Sequence, residues 1–138
     1  MSNARKPARK ARIYRDGYLR SRVWFARREQ WITSELTRAG RLECAVCEGP
    51  VARDHVELHH LSYAGVTAGD GGWVALEQHD DLVACHRRCH EWLHRLLDSD
   101  TALRRMPDRR KASRAAIARL RARLRRTVET LLAEGGEL

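Results

Sequence analysis

The stretch Glu57-Leu58-His59-His60-Leu61-Ser62 sits between two cysteine-bearing segments. Ahead of it lies Cys44-Ala45-Val46-Cys47. Behind it lies Asp81-Leu82-Val83-Ala84-Cys85-His86-Arg87-Arg88-Cys89-His90, running on into Glu91-Trp92-Leu93-His94. All seven histidines (His55, His59, His60, His79, His86, His90, His94) and all four cysteines fall within residues 44–94. The chain's soft and borderline metal ligands are thus gathered in one block, and both flanks are empty of them.

Zinc sites want four such ligands in a tetrahedron, and a two-residue spacer lets one turn supply two of them. Cys44 and Cys47 have that spacing, and so do His86 and Cys89. The preferred structural zinc set is therefore Cys44, Cys47, His86 and Cys89, with Cys85 a small buried residue at a strand end. Cys85 in place of His86 is the alternative. The remaining histidines form a second set. His90 and His94, four apart, point the same way on a helix. His59 and His60, adjacent on a strand, point to opposite sides. One of that pair can share a metal with His90 and His94 while the other serves differently.

At 138 residues the chain reads as one domain with an appended helix. Its aromatic share is 6% against 33% charged, so the core is small and gains from a metal. Residues 1–12, MSNARKPARKAR, lack the apolar segment of a secretory signal, and no apolar run is long enough for a membrane span. The expected location is the reducing cytoplasm, where clustered cysteines read as metal ligands.

The net charge of +9 is unevenly spread. Residues 1–28 carry ten Lys/Arg against one acid, and residues 104–126 carry eleven against one. Residues 29–103 carry six against thirteen. Two basic arms flank an acidic, ligand-rich middle. Such arms suit a polyanion, with counterion release as the source of affinity; solubility is the plainer account of a basic tail.

Residues 1–12 read as a disordered basic arm, residues 13–100 as the ligand-bearing domain and residues 101–138 as a basic C-terminal helix. Tyr14 to Ala39 is helical by pattern: Trp24, Arg28, Trp31 and Glu35 share one face, the tryptophans are core, and Gly40 is the stop. Alternation places a strand near residues 54–61. Residues 64–72 form a glycine-rich loop. Trp73–Leu76 and Leu82–Cys85 are short apolar runs, either able to pair with the first strand. Residues 89–97 are helical, and Asp98-Ser99-Asp100 breaks that helix. Pro107 can open the last helix. Its stripe of Ile117, Leu120, Leu124, Val128 and Leu131 suits docking on the domain or pairing with a second copy.

Knuckle, His-His pair, Asp-Leu-Val strand, second knuckle and terminal His-x3-His occur here in the order found in HNH endonucleases. Residues 44–94 resemble the zinc-knuckle subset of that family in phage and bacteria. The resemblance implies an α+β fold: a small ββα-metal (His-Me finger) domain with a structural zinc knuckle, flanked by N-terminal and C-terminal basic helices. It implies strands at the His-His pair and near Asp81–Cys85, then a helix from Cys89. It makes His59, His90 and His94 the ligands of a catalytic divalent metal (Mg2+, Mn2+, Ni2+ or Zn2+) and His60 the general base. Asp81 falls where many members carry the Asn that orients the base; an Asp accepts the imidazole's hydrogen bond but adds negative charge beside the attacking water.

The expectation that follows is a metal-dependent endonuclease of double-stranded DNA, in the cytoplasm of a bacterium or a phage-infected host cell. A homodimer or a phage packaging protein is the partner to look for, and no membrane is involved. The competing reading is a non-catalytic, zinc-stabilised nucleic-acid-binding or packaging accessory module. The His-His pair with His-x3-His argues against it, because a purely structural module needs only the four zinc ligands.

Overall fold

A computed structural model describes residues 15–135. The arm expected at residues 1–12 lies outside the described residues. A helical stretch at residues 15–19 ends at Arg20, and Ser21 caps a new helix, α1 (Arg22–Ala39), by accepting from the Trp24 N–H. The single helix expected from Tyr14 is thus broken by a serine cap. Gly40 ends α1 in the left-handed region, φ 78°, and bonds back to the Leu36 carbonyl. Trp24, Trp31 and Ile32 are buried from this helix, as the apolar spacing requires.

Next come β1 (Glu57–His60), the hairpin β2 (Val66–Gly69) and β3 (Gly72–Ala75), a 3-10 turn at His79–Asp81, and β4 (Leu82–Cys85). β1 and β4 pair antiparallel, His59 opposite Val83 and His60 opposite Leu82. Of the two apolar runs that could pair with β1, it is Leu82–Cys85 that does. Trp73 lies in β3 and pairs with β2, so the glycine-rich segment is a hairpin rather than a plain loop. Its base is tight. Gly65, at φ 96°, would bring a Cβ within 2.4 Å of the Leu76 carbonyl oxygen, which leaves room only for glycine.

α2 (Arg87–Ser99) follows β4 directly. Asp100 ends it and caps α3 (Thr101–Arg105) through the Leu103 N–H; Asp108 then caps α4 (Arg109–Ala133) through the Arg110 and Lys111 N–H groups. The start of α4 is not an appendage. Leu103, Ala112, Ala116, Ile117 and Leu120 share one core cluster with Trp24, Leu82 and Leu93, so a boundary at residue 100 cuts through packed side chains. The molecule is thus a small α+β domain with two two-stranded antiparallel sheets and helices packed around them. Among the described residues no helix is long and apolar enough to cross a membrane.

Candidate metal centres and the pocket beside them

The knuckle Cys44–Cys47 is a turn closed by the Glu48 N–H on the Cys44 carbonyl, and Glu48 takes φ 66° to make it. The Val46 and Gly49 amides, each at 3.4 Å, point at the Cys44 and Cys47 sulfurs. The Ala45 N–H bonds the Ala84 carbonyl, which ties the turn to β4. His86 and Cys89, at the head of α2, complete a group with Cys44 and Cys47 whose ligand atoms lie within 4.8 Å of one another. His86 directs Nδ1 to the Cys47 sulfur at 3.2 Å, while Nε2 donates to the Pro50 carbonyl at 2.9 Å and so fixes the tautomer. Three sulfurs and one imidazole at this separation fit a tetrahedral zinc ion.

Cys85 stands outside that group. Its buried thiol hydrogen-bonds Cys44, which with desolvation pushes it up and holds it neutral. The same bond lowers Cys44 to about 3. Burial and the Cys44 charge push Cys89 up to about 12, since crowded thiolates ionise together only with a cation between them.

The second cluster joins β1 to α2. His59, His90 and His94 bring their ligand atoms within 4.8 Å of one another. His90 Nε2 lies 2.9 Å from His94 Nε2 and 3.3 Å from His59 Nδ1, the separation that nitrogens bound about 2.0–2.1 Å from one ion would have. Two of the outer nitrogens are anchored. His90 Nδ1 donates to Glu57 Oε1 at 2.9 Å, and His59 Nε2 meets Ser113 Oγ of α4 at 2.9 Å. A proton held at these two nitrogens leaves the inner lone pairs of His90 and His59 facing one another. Burial first, then the neighbouring cationic Arg109 and histidines, lower His59 and take His94 down to about 3, so both rings are in the neutral, ligating form. An ion held by these three imidazoles would have room for a further ligand.

His60, on the opposite face of β1, is 2% exposed. It stacks on Tyr63 with 8° between the ring planes and lies 4.6 Å from the Trp24 ring. Its Nε2 is 2.7 Å from Glu77 Oε2, which also accepts from the Tyr18 hydroxyl at 2.6 Å. Burial acts to raise Glu77, but those hydrogen bonds outweigh it and keep the carboxyl below its ordinary value. Glu77 is therefore a carboxylate, and a neutral His60 donates Nε2–H to it and keeps the Nδ1 lone pair. Burial lowers His60 despite this partner.

Asp81 does not orient His60. Its carboxylate is taken by Arg110, with Nε on Oδ1 at 2.8 Å and Nη2 on Oδ2 at 2.9 Å, while its backbone carbonyl accepts from Leu61 N–H. This corrects the role expected of Asp81. Asp81 ends the 3-10 turn ahead of β4, where the fork-shaped guanidinium of Arg110 on α4 takes its carboxylate, and Glu77 from the hairpin exit fills the place beside His60.

His59, His60, His90 and His94 line one cavity of about 150 Å³ together with Tyr63, Arg109 and Arg15. Arg109 donates to the His60 carbonyl at 3.0 Å and lies 4.9 Å over the Tyr63 ring. Glu57, Glu77, Arg109 and Ser113 escaped the sequence reading. Glu57 carried a signal, since it lies two residues before His59 and so on the same strand face. The other three are brought in from far along the chain. No protein-family model, curated protein or solved structure matches the chain.

Proposed function

We propose that the chain is a metal-dependent DNA endonuclease of HNH type, with a structural zinc at Cys44, Cys47, His86 and Cys89. The observation that carries this is the single cavity shared by three converging imidazoles, a carboxylate-held histidine and two arginines. His59, His90 and His94 would hold a divalent ion, which when bound would supply positive charge for the transition state and the leaving oxygen. The chain's own residues do the rest. Tyr18 holds Glu77, and Glu77 holds Nε2–H of His60, so Nδ1 is the atom that accepts a proton from water. Stacking on Tyr63 keeps the ring from turning. Arg109 and Arg15 supply positive charge for the non-bridging oxygens of a phosphodiester.

The test is plasmid cleavage by the wild type and His60→Ala after labile metal has been stripped and Mg2+, Mn2+, Ni2+ or Zn2+ resupplied. Cleavage is expected to need added metal and to vanish in His60→Ala, with DNA binding and the helical circular-dichroism signal retained. A wild type that binds DNA with every metal and never cuts would move the function to a zinc-stabilised nucleic-acid-binding module.

A further inference from the structure

α2 carries its metal-facing histidines on one face and a different feature on another. Trp92 stands two residues from both His90 and His94, which sets it roughly 160° round the helix from them. It is 37% exposed and opens onto a groove of about 380 Å³ between α2 and α4. Leu96, Leu120 and Leu124 supply the apolar wall. Two exposed guanidiniums supply the charge, Arg95 from α2 and Arg123 from α4. Arg88, one turn before Trp92 on the same side of α2, extends the positive face. Among the described residues none of these three arginines has an ion pair, and no acid lines the groove. The acids nearest in sequence are engaged or turned away: Glu91 pairs with Arg87, Asp100 pairs with Arg119, and Asp98 lies roughly 120° round α2 from Trp92. The Ser99 and Thr127 hydroxyls spend their protons on the Arg95 and Arg123 carbonyls.

We propose that this groove is a second nucleic-acid site, one that takes an unpaired nucleotide of single-stranded DNA, with its base against the Trp92 indole and its phosphates on Arg95 and Arg123. An exposed aromatic face between cationic side chains is the arrangement that binds single strands, since every base has a face to stack and every phosphate a charge to neutralise. A phosphodiester carries acceptors and no donors, which matches a groove whose free hydrogen-bonding groups are guanidinium N–H groups. A duplex keeps its bases stacked on one another, so it would leave the indole and the leucine wall unused. An acidic peptide is the poorer occupant, because its backbone N–H groups find no carboxylate here. The site lies on the far side of α2 from the histidine cluster, so it holds DNA away from the phosphate to be cut. It rests on DNA as the partner in the reading above and not on cleavage.

Fluorescence anisotropy with the zinc-loaded full chain and a dye-labelled oligo(dT) of about a dozen nucleotides tests it. Trp92→Ala should weaken binding by about tenfold or more, while affinity for a duplex of equal length holds within about twofold. Trp92→Phe should keep most of the affinity and lose the quenching of tryptophan emission that oligo(dT) causes in the wild type. Arg95→Gln with Arg123→Gln, changes at exposed side chains, should lower the salt slope by about 1.4, the share of two phosphates on a single strand. Oligo(dT) binding unchanged in both Trp92→Ala and the double arginine variant overturns the proposal, and so does a wild type that cuts plasmid yet binds no oligo(dT); the nuclease reading survives either result. Equal losses on single strand and duplex in Trp92→Ala overturn the single-strand preference. Quenching by a glutamate-rich peptide and none by oligo(dT) gives the groove to a protein partner instead. A wild type that binds oligo(dT) through Trp92 and cuts nothing supports the proposal and removes the nuclease reading.

Discussion

Glu77 and Asp81 lie four residues apart and divide the work differently from what the sequence suggested. Glu77→Gln keeps the shape but gives His60 Nε2 a side chain that can offer a donor where an acceptor is needed. In the nuclease reading, cleavage should fall by roughly 10²–10⁴-fold with DNA affinity retained, by the logic of other carboxylate-held histidine bases. Asp81→Asn removes half of a two-pronged ion pair to Arg110 and should cost about 1–3 kcal/mol of stability, with turnover per folded molecule nearly unchanged. Cleavage assays and thermal melts on the two variants separate the roles; a larger loss of turnover in Asp81→Asn would return the orienting role to it. The ligand groups were legible because spacing is local: two residues between ligands on a turn, three between histidines on a helix. Glu77 was not, because no periodicity announces a carboxylate 17 residues from the imidazole it serves.

At the scale of elements, the knuckle and the head of α2 share one ligand group, so metal binding and the β4–α2 junction should be lost together. His86→Ala should lower bound zinc well below one per chain and depress the thermal midpoint, while Cys85→Ala should keep the zinc. Metal content by mass spectrometry decides between them. α1 is pinned to the hairpin exit by Trp31 Nε1 on the His79 carbonyl, by Arg27 on the Glu77 carbonyl, and by Glu35 on His79 Nε2. Burial acts to raise Glu35, but hydrogen bonds from Arg38 and His79 outweigh it, and like Glu77 it ionises below the ordinary value of 4.5. Folded values below unfolded ones mean stability that is complete above the unfolded value and lost as pH falls through the folded one. The difference in thermal midpoint between wild type and Glu35→Gln should therefore be greatest near neutrality and shrink below about pH 4.5. A gap that widens in acid would show that the carboxylate is not held as described. The helices near α1, α2 and α4 could be read from the sequence, and Leu82–Cys85 was one of two runs offered as the partner of β1, whereas the short α3 was not foreseen. The hairpin could not, since its strands are short and hidden among glycines, and neither could the Ser21 break, which one hydroxyl decides.

Across the whole molecule, the arginines of α4 fall into two groups. Several arginines of α4 are bonded inward: Arg109 to the His60 carbonyl, Arg110 to Asp81, Arg119 to Asp100, Arg121 to the Ala45 carbonyl and Arg125 to Glu48. Lys111 and Arg114 are exposed on the same helix. Arg121→Gln should lower the thermal midpoint and leave DNA affinity alone. Lys111→Gln and Arg114→Gln should do the reverse, each reducing the salt slope of DNA binding by about one. Composition revealed the positive charge but not this division, which depends on which side of α4 faces the body. The contact between Ser113 and His59 carries a further consequence for how the protein is made. The histidine is synthesised 54 residues before the serine that steadies it, and Arg109 likewise arrives long after His60. A chain still on the ribosome, or one cut short by a premature stop before α4, holds its histidines without the helix that closes around them. The order of synthesis thus keeps the histidine pocket unfinished until α4 has been made.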